Sequence, residues 1–137
     1  MTFDDLKKAI HGLTLGDANL PTDDELVLIV AETMSEAAVF CRPISLISTN
    51  PQDFAGESPL MALGAGAWLR KPKKPQIGEE LDIDDGLFSA VAHLTAAKLV
   101  RNLPELNRKT YHEDEARKAM NAYMWARHRT TSATYQH

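Results

Sequence analysis

The stretch from Trp68 to Asn102 constrains the possible folds more than any other part of this sequence. An apolar strand candidate at its start runs into the basic segment Arg-Lys-Pro-Lys-Lys-Pro, whose prolines end the strand. The acidic run Glu-Glu-Leu-Asp-Ile-Asp-Asp follows, and then an alanine-rich amphipathic helix. The pattern is typical of a surface that is stable only against copies of the same chain or against a larger assembly.

Two helices are predicted before the middle of the chain. Thr2 is the expected N-cap of a short first helix, and Gly12 and Gly16 mark its end. The capping box at residues 22–25 predicts a second helix running to about Cys41, and Pro43 stops it because the residue before a proline avoids helical geometry. The apolar stripe of this second helix has three-to-four spacing: Leu26, Ile29, Val30, Met34, Ala37 and Ala38.

Residues 42–83 lack a helical period, and we expect an irregular, strand-bearing insertion there. The β-branched run 44–49 and the run 66–70 each predict a short strand, whereas glycines and a proline make 54–66 loop-like. The two strands are predicted to pair. Because two strands alone are marginal, they need a helix or a neighbouring chain behind them.

Two more helices are predicted after the insertion. Asp84 and Asp85 are expected to cap the third helix, which Pro104 ends. A second capping box at 110–113 predicts a fourth helix running to about Arg129. The third helix is expected to bury Leu87, Val91, Leu94 and Leu99, with alanines allowing close approach of a neighbouring helix. One face of the fourth carries Ala116, Ala119, Met120, Tyr123 and Arg127.

The predicted fold class is therefore mainly α: a small helical bundle with a short two-stranded β element in the middle and an extended C-terminal arm. Residues 1–129 form one predicted domain, with the irregular insertion at about 42–83. Residues 130–137 form the predicted arm, because the tail is polar, β-prone and free of glycine and proline. Such an arm could add a strand to a partner, with the Tyr135 ring as its anchor.

Composition narrows the functional classes. The 137 residues carry a formal net charge of −4, which argues against wholesale coating of nucleic acid by a basic body. The single Cys41 excludes an intrachain disulfide and a thiolate metal cluster, as expected for a reducing cytoplasm. The acidic N-terminus does not match a signal peptide, and no apolar run approaches the roughly 20 residues that span a bilayer.

The sequence predicts no enzyme, no cofactor and no metal site. His112-Glu113 lacks the second histidine of a zinc-protease helix, and the other histidines lack partners at ligand spacing. Cys41 beside Arg42 fits a small core residue better than an activated thiol. The Gly64-Ala-Gly66 run lacks the lysine of a phosphate loop, and the acidic run 79–85 does not match a calcium loop.

Charged and aromatic side chains supply the candidate interface instead. The basic segment lies five residues before the acidic run, so the basic loop of one copy could contact the acidic helix cap of the next copy around a ring. The alternatives are that the segment contacts DNA phosphates or that it is only a solvated loop. Trp125 falls on a different helix face from Met120 and Tyr123, as an interface residue or as part of a broader core. The candidate interface residues are Arg70, Lys71, Lys73, Lys74, Glu79, Glu80, Asp82, Trp125 and Tyr135.

Residues 67–102 resemble the small head-to-tail connector (adaptor or neck) proteins of tailed bacteriophages. The resemblance rests on Trp-Leu-Arg-Lys-Pro-Lys-Lys-Pro, on Glu-Glu-Leu-Asp-Ile-Asp-Asp and on the helix Leu-Phe-Ser-Ala-Val-Ala-His-Leu-Thr-Ala-Ala-Lys-Leu. It implies a virion structural protein, made in the bacterial host cytoplasm, that forms a ring of identical subunits between portal and tail. DNA would pass through the ring, with portal and tail or neck proteins as further partners and no membrane.

Other classes stay open on the sequence. The chain could be a small dimeric DNA-associated regulatory module, a tail-completion or tail-tube-associated protein, or a non-catalytic subunit of an enzyme complex. Solution mass separates the first of these from a connector. A connector is expected to be monomeric alone and oligomeric on its platform, whereas a regulator is expected to be a stable dimer that binds duplex DNA.

Overall fold

A computed structural model describes residues 1–14, 21–50, 58–100 and 108–135, with side chains described up to Arg127. This part of the chain is mainly helical with a small antiparallel sheet, which confirms the predicted fold class. The helices are α1 (Phe3–Thr14), α2 (Asp23–Cys41), α3 (Phe88–Leu99) and α4 (Arg108–Tyr135). The strands are β1 (Ile47–Ser48), β2 (Met61–Gly64) and β3 (Ala67–Leu69).

Helix α3 lies at the centre, because α1, α2 and α4 all pack on it. Small side chains make this possible, since alanines let neighbouring helix axes approach closely. Two of the predicted apolar positions, Leu87 and Val91, are fully buried, whereas Leu94 and Leu99 are half-buried. The buried alanines of α3 are Ala90, Ala92, Ala96 and Ala97.

Helix α1 begins where the sequence predicts. Thr2 and Asp5 exchange hydrogen bonds: the Asp5 N–H donates to Thr2 Oγ1 over 3.2 Å, and the Thr2 N–H donates to Asp5 Oδ2 over 3.0 Å. The helix ends at Thr14, between the two glycines that the sequence marks as its end. Thr14 is buried and its hydroxyl donates to the His11 carbonyl, which stabilises the last turn.

Helix α2 has the bounds that its local signals predict. The Glu25 N–H donates to Thr22 Oγ1 over 3.4 Å, as expected for the N-cap of the box. The helix ends at Cys41, where Arg42 takes a left-handed conformation with φ of 50° and its N–H donates to the Ala38 carbonyl. Pro43 follows directly and ends the helix.

The middle of the chain forms three strands in the order β1-β3-β2. The predicted pairing is confirmed, with Ile47 opposite Leu69 and Ser48 opposite Trp68. The predicted first strand is shorter than expected, because residues 44–46 form a 3₁₀ turn. Leu46 and Leu69 pack with Ala38 of α2, so a helix supports this sheet.

The prediction of two strands is wrong, because β2 lies in the stretch expected to be a loop. Met61 pairs with Leu69 and Ala62 pairs with Trp68, and the register shifts before Gly64. The turn between β2 and β3 has three consecutive positive φ angles: 87° at Gly64, 53° at Ala65 and 78° at Gly66. Glycine tolerates such angles, so the run that resembles loop punctuation is a hairpin turn.

The predicted caps of the last two helices are wrong. A 3₁₀ turn, Asp85–Leu87, precedes α3, and Asp84 makes no side-chain cap there. Instead the Asp84 carboxylate accepts hydrogen bonds from the hydroxyls of Ser45 and Tyr123. Helix α4 begins at Arg108, so Thr110 lies inside it and opens no helix. Pro104 lies outside the described residues.

Helix α4 also replaces most of the predicted arm. The expected helix end near Arg129 and the extended backbone over 130–135 are wrong, because the helix continues to Tyr135. This run contains no glycine or proline that would end a helix. Residues 136 and 137 lie outside the described part of the chain.

A buried polar contact between α2 and α3 gives a stability prediction. The Thr33 and Thr95 hydroxyl oxygens lie 2.9 Å apart, both fully buried, and the Thr33 hydroxyl donates to the Val30 carbonyl. We expect Thr33→Val to lower the free energy of unfolding by about 1–3 kcal/mol, because it leaves the Thr95 hydroxyl without that partner. Thr95→Val is expected to cost less, since the bond from Thr33 to Val30 remains.

Urea unfolding of the two single variants and the double variant measures the coupling. The double variant is expected to lose less stability than the two single losses added together, because no buried hydroxyl is then stranded. Strict additivity would show that the Thr33–Thr95 contact does not link the two helices.

Candidate interaction surface

The basic segment after β3 presents its lysines outward on a fixed base. Lys71, Lys73 and Lys74 are exposed, whereas Pro72 and Pro75 of the same stretch are buried. The prolines restrict the backbone and anchor it to the protein, so the three ammonium groups face solvent. The role of these lysines in an interface stays a prediction.

Arg70 is engaged within its own chain. Its guanidinium donates to both carboxylate oxygens of Asp82, over 2.7 Å and 3.1 Å. The Lys73 N–H adds a third hydrogen bond to Asp82, over 2.7 Å. The sequence placed Arg70 and Asp82 among the contacts between copies, but here the pair closes the basic segment onto the acidic run of the same chain.

Partial burial strengthens this pair relative to the other ion pairs of the surface. The side chains of Arg70 and Asp82 are only 22% and 26% exposed. Burial alone would raise the pKa of Asp82, but the hydrogen bonds from Arg70 and from the Lys73 N–H outweigh it and hold that pKa below its ordinary value of 3.8. The carboxylate therefore stays ionised, and the pair fixes the base of the lysine segment.

The acidic run is tied to the N-terminal segment. The Leu81 N–H donates to the Met1 carbonyl over 2.9 Å, and the Phe3 N–H donates to the Glu79 carbonyl over 3.4 Å. The Met1 amine pairs with the Glu80 carboxylate over 2.5 Å. The Glu79 side chain is exposed. Of the acidic interface candidates, Asp82 and Glu80 therefore have partners inside the chain.

Several large apolar side chains lie exposed. Trp125 is 64% exposed and is therefore not part of a broader core. Its role in an interface stays a prediction. Leu28 of α2 and Ile77 are 60% and 59% exposed and line one shallow groove of about 420 Å³. Lys74 and Pro75 of the basic segment line the same groove. The Tyr135 side chain lies outside the described residues.

A second groove of about 350 Å³ runs between the end of α2 and helices α3 and α4. Apolar and charged side chains both line it. Lys98 in this lining pairs with Glu32 and Glu36 of α2, over 3.2 Å and 3.0 Å. The groove lining includes Phe40, Leu94, Met120, Lys109, Glu113 and Arg117.

Sequence reasoning missed a pair of histidines. His93 of α3 and His112 of α4 bring their Nδ1 atoms to 3.0 Å, and His112 is only 3% exposed. The sequence held one signal, because His112 lies four residues before Ala116 and so on the apolar face of α4. No local pattern joins it to His93, which is 19 residues away along the chain.

Cys41 is a core residue, as predicted. Its thiol is buried among the side chains of the main core. Burial raises the pKa of this thiol to about 11, although the nearby Arg127 charge acts in the opposite direction. The group is therefore protonated at neutral pH and is not activated as a nucleophile. Arg127 itself donates to the Cys41 carbonyl over 3.1 Å and so joins α4 to the end of α2.

Within residues 1–14, 21–50, 58–100 and 108–135, no three histidine, cysteine, aspartate or glutamate side chains are grouped as metal ligands. Among the helices of the same ranges, none is both long enough and apolar enough for a membrane span. Comparisons of the chain with protein-family models, with curated proteins and with solved structures found no match. The geometry of the surface itself is thus the basis for a functional proposal.

The Arg70–Asp82 pair gives the second prediction. Asp82→Asn is expected to lower the free energy of unfolding at neutral pH by about 1–3 kcal/mol, because it removes the ion pair and weakens the hydrogen bonds to a charged acceptor. Because the folded pKa of Asp82 is lowered, its contribution is present above the ordinary value of 3.8 and is lost as the pH falls through the folded pKa.

Urea unfolding at neutral pH and in acid checks both parts. The parent and Asp82→Asn should differ at neutral pH and converge in strong acid. Glu79→Gln, a neutralisation of an exposed neighbour, is the control and should change stability little. Equal stability of Asp82→Asn and the parent at neutral pH would contradict a structural role for the pair.

Proposed function

We propose that this chain is a structural connector of tailed bacteriophages, one subunit of a ring between portal and tail that acts by docking and not by catalysis. The observation that carries the proposal is the lysine segment 71–74, presented on a fixed base beside the apolar Leu28–Ile77 groove. The resemblance of residues 67–102 to head-to-tail connectors supports the same conclusion. The virion is then the working location of the chain and the host cytoplasm its place of assembly.

The fixed base favours docking because it lowers the entropy that binding must overcome. The buried prolines Pro72 and Pro75 and the Arg70–Asp82 pair already order the backbone of the segment. A partner that binds Lys71 or Lys74 therefore orders side chains but not a loop. Acidic side chains of a neighbouring copy, such as the exposed Glu79, are suitable partners.

The Leu28–Ile77 groove adds apolar surface to the charged surface of the lysines. Leu28 and Ile77 offer apolar area that a partner can bury, and Lys74 borders that area. An apolar centre with a polar rim is the usual anatomy of a protein interface. Each contact can be modest, because a ring engages many copies at once and multivalent attachment is much tighter than a single contact.

Contact of the lysines with DNA in the channel is an additional expectation of this proposal. Phosphate contacts weaken steeply with salt, because binding releases counterions. The described basic segment contains no aromatic side chain for base stacking, so such contact would be independent of sequence. The chain is expected to need no cofactor for either role.

Solution mass and capsid binding test the proposed function. In sedimentation velocity the purified chain is expected to be a monomer. Mixed with tail-less capsids, it should co-sediment with them in multiple copies per capsid, bound at the portal vertex. Immunogold labelling of virions should place it at the neck. A stable dimer that binds duplex DNA at moderate salt and ignores capsids would instead identify a regulatory module and overturn the proposal.

Charge reversal tests the lysine segment. Combining Lys71→Glu, Lys73→Glu and Lys74→Glu should weaken capsid attachment by about tenfold or more, or about 1.4 kcal/mol, because attraction to acidic partners becomes repulsion. Arg70 is left unchanged, since its pair with Asp82 is structural. Circular dichroism should show unchanged helical content. The measurement is co-sedimentation with capsids.

A matched control reverses three exposed cations elsewhere: Lys8→Glu, Lys109→Glu and Arg117→Glu. It changes the net charge equally and should retain attachment. If both triple variants attach alike, the lysine segment is a solvated loop without a docking role.

Trp125 tests the exposed aromatic surface of α4. Trp125→Ser should change the free energy of unfolding by less than about 0.5 kcal/mol, because the ring is already exposed. It should weaken attachment to the capsid, whereas Trp125→Phe, which keeps most of the apolar area, should largely retain it. A Trp125→Ser chain that attaches normally would remove Trp125 from the interface.

A further inference from the structure

The contact between α3 and α4 contains a titratable pair at its centre. The rings of His93 and His112 have centroids 5.3 Å apart, and their Nδ1 atoms are separated by 3.0 Å. His112 is buried and His93 is half-buried. Tyr111 packs edge-on against both rings, with centroids 6.4 Å from His93 and 5.2 Å from His112. The two helices thus hold the rings at an interplanar angle of 35°, with the two Nδ1 atoms within hydrogen-bond distance.

Such a pair is compatible with only some protonation states. One Nδ1 must carry a hydrogen and donate, while the other accepts through its lone pair. When both rings are protonated, each Nδ1 carries a hydrogen and the acceptor is lost. Two cationic rings then have their Nδ1 atoms only 3.0 Å apart, so the contact between His93 and His112 becomes repulsive.

The charges around the pair only partly offset that repulsion. Within the described residues, Glu115 favours protonation of both rings and Arg108 opposes protonation of His112; both lie on α4. Helix α2 presents Glu32 and Glu36 to Lys98 of α3. Helix α1, which also packs on α3, directs Lys7 to Asp23 of α2.

We propose that the His93–His112 pair is a pH-sensitive latch that holds α4 on α3 near neutral pH and loosens when the solution becomes mildly acidic. The latch is local, because it joins two neighbouring helices through one hydrogen bond. It is independent of the proposed connector role, since it depends on the contact between α3 and α4 and on no partner.

The titration has a definite direction. Burial lowers the pKa of His93, and burial together with the neighbouring His93 and Arg108 lowers that of His112, both from the ordinary value of 6.5. The unfolded chain therefore binds protons at a higher pH than the folded protein does. The stability that the pair contributes is complete above 6.5 and is lost as the pH falls through the folded pKa values.

Hydrogen exchange of the full chain, followed by NMR, tests the latch. Protection factors of α4 amides are compared at about pH 7.5 and about pH 5.5, after correction for the intrinsic pH dependence of exchange. We expect a loss of protection across the segment around His112 on acidification, since protonation of the buried pair favours the open state over the closed one. Amides of α1 should change much less.

The test variant is His93→Asn, because the asparagine amide can place a hydrogen-bonding nitrogen near the former Nδ1 position and does not titrate. The acid-induced loss of protection should shrink strongly in this variant. The control is His11→Asn on the exposed face of α1, which should keep the parental pH response. If His93→Asn does not fold, the NMR titration of His93 and His112 in the parent decides.

Three results would overturn the latch. The first is an equal acid response of the parent and His93→Asn, and the second is a pair of parental histidines that titrate at or above their ordinary value. The third is a zinc-induced stabilisation at neutral pH that a chelator reverses and His93→Asn abolishes. That third result would show that the pair serves as a metal site and not as a latch.

Discussion

The close packing of three helices around α3 is the constraint on which the rest of the structure depends. Small side chains at Ala90, Ala92 and Ala96 let α1, α2 and α4 approach the same helix. Polar side chains of α3 then fix how α2 and α4 are aligned along it. Thr95 bonds to α2, and His93 bonds to α4. The bundle therefore combines an apolar seam with specific polar links, and the position of α4 depends on that arrangement.

Local signals made part of this fold predictable. The bounds of α2 follow from a capping box and from Pro43, which act within a few residues. The start of α3 does not follow from a local signal, because the Asp84 carboxylate bonds to Tyr123, distant along the chain, and does not cap the helix. The capping box at 110–113 does not mark the start of α4, which begins at Arg108. Strand β2 was missed since four residues before a glycine turn resemble a loop.

The sequence indicates candidate interface residues but not how they pair within the chain. The lysines and Trp125 are exposed, although the pattern around Trp125 left a place in a broader core open, and their role in an interface stays a prediction. The pairing of Arg70 with Asp82 and of His93 with His112 comes from tertiary structure, which spacing along the chain does not reveal. These pairings change the interpretation of the surface. The ion pair of Arg70 with Asp82 orders the basic segment within the chain. In the connector proposal, the exposed lysines of that segment are the charges that bind a partner.

Cryo-electron microscopy of purified virions that carry this chain tests the connector proposal most directly. If the proposal is right, several copies form a ring around the DNA channel between portal and tail. The lysines of residues 71–74 and the Leu28–Ile77 groove are then expected at contacts with neighbouring subunits. A neck without this chain, or a ring in which those residues face solvent at every position, would contradict it.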